Sequence, residues 1–194
     1  MEATDDRLEL VVDPARPTGR TLLAGGVEQS YVVTRDLPLR QPGVEIRVDD
    51  ARQAVTETSA DAYDLVFADI YRAARMPPHV ATVAFAAEVA RVLRPDGVYL
   101  VNVTDLPPLL LARVQAATLR AVFADVCVVA DRRMLRGRRY GNLVLAAATR
   151  PGRLPVTRLT QRVRRDPLPG AVLHGPTLDA FVGGVRPRTD DAGH

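Results

Sequence analysis

The sequence predicts an α/β fold: a mainly parallel sheet with helices on both faces, preceded by a small antiparallel β-meander. Three observations carry this reading. Residues 62–103 run as apolar strand, acidic loop, amphipathic helix, Pro-Asp-Gly turn and second apolar strand. Downstream, apolar strand-like runs continue to alternate with helical patterns, as in sheets built from strand–helix–strand units. Upstream, residues 7–33 hold short alternating segments separated by Gly and Pro, the pattern of hairpins.

Each element follows in order. RLELVVD (7–13), RTLLA (20–24) and VEQSYVV (27–33) are the strands of the meander, with Gly25-Gly26 between the last two. Pro38, Gln41, Pro42 and Gly43 mark a loop. VEIRV (44–48) reads as a short strand, and 51–58 as a helix with Asp49 or Asp50 as its N-cap. DLVFAD (64–69) is apolar almost throughout, as expected of a strand covered on both faces. Val83, Phe85, Ala86, Val89, Ala90 and Leu93 form a helical stripe over 81–93, which Pro95-Asp96-Gly97 breaks. VYLVNV (98–103) is a strand. Asp105 caps a helix from Pro107 to about Phe123, its two prolines confined to the first turn. DVCVVA (125–130) and NLVLAAA (142–148) are strands joined by an arginine-rich hairpin connection. Beyond Pro151 lie two short helical patterns and a polar end. The expected organisation is a β-meander over 1–34, an α/β core over 35–150 and an irregular or helical tail over 151–194.

A chain of 194 residues can bury a real core. All 26 basic residues are arginine and the net charge is only +3, which argues for codon bias rather than for a nucleic-acid partner. The single cysteine, Cys127, lies in an apolar run and reads as a small buried hydrophobe. No secretory signal core and no membrane-length apolar run is present, so a cytoplasmic location is the expectation. The three histidines have no metal-ligand spacing, and no metal is expected. Arg132, Arg133, Arg136, Arg138 and Arg139 read as a solvated hairpin loop, with phosphate binding as the alternative.

Asp69 stands at the carboxyl end of its strand, where open α/β sheets bind ligands. Tyr71 follows it, and Asn102 and Asp105 stand at the next strand end. No glycine-rich loop follows an apolar strand upstream of Asp69.

The order of several motifs resembles the spermidine synthase-like proteins of the class I methyltransferase-like, Rossmann-like fold. The motifs are TLLAGGVEQSYV, AYDLVFADIY, PPHVAT, RVLRPDGVYLVNV and RGRRYGNLVLAA, and the resemblance spans roughly 7–185. It implies an aminopropyl- or methyl-transferase lineage using S-adenosylmethionine or decarboxylated S-adenosylmethionine. By resemblance, Asp69 is the catalytic acid–base that takes a proton from an attacking amine. Gln29 contacts the nucleoside side of the cofactor, and Asp50 holds the adenine, although Asp50 also reads as an N-cap. Tyr71, Arg72 and Asn102 are candidates to line the substrate pocket. A homodimer through the N-terminal β-element also follows from the resemblance. The chain departs from the pattern in two places. The first two core strands, the glycine-rich loop and the ribose-binding acid are missing near Val33–Arg35, leaving a partial Rossmann-like core. Arg72 stands where the family has a second aspartate, and a cation there repels a diamine. The expectation is therefore a transferase lineage with weak or lost activity, or alternatively a non-catalytic interaction module built on the same fold.

Overall fold

The computed structural model describes residues 8–12, 19–24, 27–33, 49–71, 76–165 and 170–190, with only the backbone path given for the first three segments. The chain divides into two compact units, 1–48 and 49–194.

In the first unit, β1 (Leu8–Val12), β2 (Gly19–Ala24) and β3 (Val27–Val33) form an antiparallel sheet in chain order. Ala24 pairs with Val27, so two residues join β2 to β3. The register then slips: Leu23 faces Glu28 while Leu22 faces Ser30. Gln29 is thus the extra residue of a β-bulge, a feature that bends a strand and re-aims side chains.

The second unit is a five-stranded sheet in the order β4-β5-β7-β6-β8: β4 (Tyr63–Ala68), β5 (Leu93–Asp105), β6 (Asp125–Asp131), β7 (Gly141–Ala148) and β8 (Gly170–Leu173). The β4–β5 pairing is parallel and the other three are antiparallel. β4, β5 and β6 therefore share a direction, as a Rossmann-like core has it, while β7 enters reversed between β5 and β6. The length of the connection explains this. Nine residues separate β6 from β7, enough for a hairpin but too few for the crossover a parallel neighbour needs. The strand expected at 44–48, and its pairing with 64–69, lie outside the described residues.

Among the described residues six α-helices pack around the sheet: α1 (Ala51–Glu57), α2 (Val83–Val92), α3 (Leu110–Arg120), α4 (Arg132–Leu135), α5 (Val156–Arg165) and α6 (Pro176–Val182). The C-terminal stretch thus supplies α5 and α6, and between them β8 joins the sheet beside β6. The stripe read from sequence is the buried face of α2, carried by Phe85, Ala86, Val89 and Val92. The Thr82 hydroxyl accepts from the Phe85 N–H at 3.2 Å and caps it.

At Pro95-Asp96-Gly97 the break takes a form the sequence did not show. β5 already begins at Leu93, opposite Tyr63, and the pairing resumes with Val98 opposite Leu65, so the four residues 94–97 stand against the single Asp64 in the ladder. A Cβ on Gly97 would stand 2.9 Å from the Arg94 carbonyl oxygen, a separation that only glycine tolerates. At α3, Pro107 and Pro108 precede the helix rather than forming its first turn, and the helix begins at Leu110. Asp105 still holds its start: one carboxylate oxygen accepts from the Ala112 N–H at 2.9 Å and the other from the Leu106 N–H at 2.8 Å.

The main core lies on one face of the sheet, where Tyr99, Val101, Val103, Leu143, Leu145 and Val128 meet α2, α3 and α6. A smaller cluster on the other face joins Cys127, Ala146 and Ala148 to Leu154, with Val98, Leu100, Leu159 and Val172 against it. At the β4 margin of that second face, Tyr63, Leu65 and Phe67 are 47%, 54% and 57% exposed, so β4, expected to be covered on both faces, is open on one because no described helix packs over that end. The C-terminal segment crosses the helices as a strap. The Val83 N–H donates to the Arg188 carbonyl at 2.8 Å, and the Arg188 N–H to the Thr118 hydroxyl at 2.9 Å.

Candidate functional site

Alternation along β5 puts Asn102 and Thr104 on the same side of the sheet, the side of Val98 and Leu100. Ala68, the last residue of β4, pairs with Val101, so Asp69 emerges beside Asn102. The Asn102 side-chain amide donates to one Asp69 oxygen at 2.9 Å. Tyr71, two residues on, folds back over the strand ends. Its hydroxyl accepts from the Thr104 N–H at 2.7 Å and donates to the Asn102 carbonyl at 3.0 Å. The Thr104 hydroxyl then donates to the Asn142 side-chain oxygen at 2.7 Å, extending the row onto β7. The structure thus brings three of the sequence candidates, Asp69, Tyr71 and Asn102, into one hydrogen-bonded group.

The electrostatics fit an acceptor site for a proton or a cation. Asp69 is exposed at the rim, and among the described residues its second oxygen has no hydrogen-bond partner. A carboxylate oriented by one amide and open on its other side can hold an ammonium group or accept a proton from it. Burial pushes the Tyr71 hydroxyl above its ordinary value, the bonds at Thr104 partly offset that, and the Asp69 charge adds to the rise. Tyr71 therefore stays protonated and acts as a clamp on the backbone of β5.

The other candidates fall elsewhere. Arg72 lies outside the described residues. Gln29 belongs to the first unit, where only the backbone is described. Asp50 is the N-cap of α1: one oxygen accepts from the Arg52 N–H at 2.9 Å and the Gln53 N–H at 3.2 Å, and the other meets His79 Nε2 at 2.8 Å. Burial raises its pKa, but the Gln53 N–H and His79 more than offset this, and the carboxyl sits below its ordinary value. Both oxygens are engaged, and among the described residues Asp50 shares no hydrogen bond with the Asp69 row.

Sequence reasoning missed Thr104 and Asn142, although the period-2 spacing from Asn102 was the signal for Thr104. It also missed a cleft of about 360 Å³ beside α1, lined by Arg52, His79, Thr82, Arg188 and Asp190 among others. There the Arg52 guanidinium grips Asp190 with two bonds, at 2.6 and 3.1 Å. A further pair links Asp125, buried at the start of β6, to His174 Nε2 at 2.9 Å, while its other oxygen accepts from the Leu154 N–H at 2.8 Å. Cys127 is buried, and burial above all pushes its thiol up to about 11, which leaves it inert as a nucleophile at neutral pH. Among the described residues no three His, Cys, Asp or Glu side chains group around a metal position, and no helix is long and apolar enough to cross a membrane.

The chain matches no protein-family model and no curated protein. Among solved structures it is similar to a probable spermidine synthase from Corynebacterium glutamicum, with 22% identity over 94% of this chain and 92% of that one, at a TM-score of 0.74. Human methyltransferase-like protein 13 in complex with SAH is 19% identical over 75% of this chain and 62% of its own, with a TM-score of 0.46. Spermidine synthase from Thermotoga maritima is 16% identical over 70% of this chain and 45% of its own, with a TM-score of 0.49. The first of these likenesses, spanning nearly all of both chains, gives the protein a spermidine synthase-like, class I methyltransferase-like fold.

Proposed function

We propose that the chain is of the transferase lineage of the spermidine synthase-like proteins, with the proton-accepting end of the site kept and S-adenosyl binding weak or lost. The observation that supports this is the Asp69–Asn102–Tyr71 group at the carboxyl end of β4 and β5, where such sheets carry their chemistry. In this reading Asp69 receives the proton from an attacking amine, Asn102 aims the carboxylate, and Tyr71 fixes the strand ends against each other. The cofactor is S-adenosylmethionine or its decarboxylated form. Arg72 turns acceptor preference away from diamines toward neutral or acidic amines.

Two observations favour the second reading, a non-catalytic module on the same fold. Asp50, which would hold the adenine, has both oxygens committed to α1 and His79, and no glycine-rich loop precedes Asp69 in the sequence. In that reading the chain assembles with a second copy through its N-terminal β-sheet.

Calorimetric titration of the full chain with S-adenosylmethionine, decarboxylated S-adenosylmethionine and methylthioadenosine tests the proposal. The expected result is no complex tighter than about a millimolar dissociation constant, a standard free energy near −4 kcal/mol. Micromolar binding that Asp69→Ala abolishes would overturn the loss of cofactor affinity and defeat the reading of a non-catalytic remnant.

A further inference from the structure

A second cleft, of about 510 Å³, lies where β6, β7, β8 and α5 meet, within the size range of small-molecule sites. Its apolar wall is built by Val129 and Val144, register partners on β6 and β7, with Val163 of α5 and Met134 of α4. Two glycines keep it in shape. A Cβ on Gly170 would stand 3.0 Å from the Val163 Cβ, and one on Gly141 only 2.8 Å from the Met134 sulfur. Glycine at these positions lets α5 and α4 approach the strands this closely. The polar lining is Asp131, Arg139 and Asn142.

The charged lining is one acid and one base, Asp131 and Arg139, and the elements that carry the lining are rich in arginine. Asp131 accepts from the Arg133 N–H at 2.7 Å and from the Arg139 guanidinium at 3.1 Å, with the Arg133 guanidinium 3.4 Å away. Its charge is therefore answered by two arginines. The connection between β6 and β7 carries five arginines and no acid, and α5 carries four more with no acid. An apolar slot flanked by two arginine-rich elements selects for one ligand chemistry.

We propose that this cleft binds an amphipathic organic anion, its apolar chain against Val129, Val144 and Val163 and its carboxylate or phosphate head on the Arg139 guanidinium. Burial of the chain supplies affinity, and the Arg139 guanidinium, whose Nε donates to the Tyr140 carbonyl at 3.2 Å and whose Nη1 donates to Asp131 at 3.1 Å, offers its remaining N–H groups to either head. The site uses neither Asp69 nor an S-adenosyl cofactor, so it stands whether or not the transferase reading does.

Four probes test it on the full chain by calorimetry: decanoate, decyl phosphate, decyltrimethylammonium and inorganic phosphate. The two decyl anions are expected to bind at least about tenfold more tightly than the cation with the same tail or the head group alone, since both chain and charge contribute. Preference between decanoate and decyl phosphate then separates a carboxylate ligand from a phosphate ester. Arg139→Gln is expected to weaken the decyl anions about tenfold while leaving the far-ultraviolet dichroism unchanged, and Val163→Ser to weaken them with the helix content retained. No binding of either decyl anion, equal binding of anion and cation, inorganic phosphate binding as tightly as decyl phosphate, or full affinity in Arg139→Gln would each overturn the proposal.

Discussion

On one face of the five-stranded sheet, Tyr99, Val101, Val103, Leu143 and Leu145 are buried beneath α2, α3 and α6. On the other, α5 shelters the β6–β8 end, and Tyr63, Leu65 and Phe67 keep about half their surface in water. The difference shows where stability and chemistry reside. The covered face holds the close-packed aliphatic core. The open face holds every polar strand-end group of the candidate site, from Asp69 through Asn102 and Thr104 to Asn142, and the arginine-flanked cleft beside them. The candidate groups thus lie on the face with room for a ligand.

Paired truncations give the largest effect. Leu145→Ala on the covered face is expected to cost about 2–5 kcal/mol, because a fully buried side chain leaves a cavity. Leu65→Ala on the open face is expected to cost less than about 1 kcal/mol, since it already shares its surface with water. Urea denaturation of the two variants measures the contrast, and equal losses would break it. Next in size is Asp125→Asn. The buried carboxylate joins β6 to Leu154 and to His174 beyond β8, so the loss is expected at about 1–3 kcal/mol, read from the same denaturation curves.

The elements of this contrast were unevenly legible in the sequence. The buried stripe of α2 stood out by its helical period, and the strands at 64–69 and 98–103 as short apolar runs. Asp69 and Asn102 stood out as polar residues ending apolar runs, and Asp105 as a holder of the next helix. Three features did not show. Strand order depends on which partners meet in space, so the insertion of β7 between β5 and β6 had to come from the coordinates. β8 has only four residues, too few for a period. The pairs Asp125–His174 and Arg52–Asp190 join positions 49 and 138 residues apart, and neither member carries a local signal.

Two smaller effects sharpen the covered side. Gln115 of α3 is buried there with its side-chain oxygen unpartnered among the described residues. Gln115→Met is expected to raise stability by about 1 kcal/mol, seen as a higher denaturation midpoint with unchanged slope. The smallest effect is one of pH. Arg52 chiefly, and Thr82 after it, hold the Asp190 carboxyl at about 2 against an ordinary 3.8. A lowered carboxyl stabilises the fold above its unfolded value, and that contribution fades as pH falls from about 4 toward 2. Amide exchange at Val83 and Arg188 is expected to rise across that window, and in Asp190→Asn to be raised already at neutral pH.

The reversed hairpin also bears on how the chain is made. β6 emerges from the ribosome before either of its neighbours, β7 and β8. During that interval a strand of almost wholly apolar residues, DVCVVAD, has nothing to pair with, and α3 alone can shield it. The rate at which residues 132–148 follow it out therefore sets how long the nascent protein displays this apolar segment.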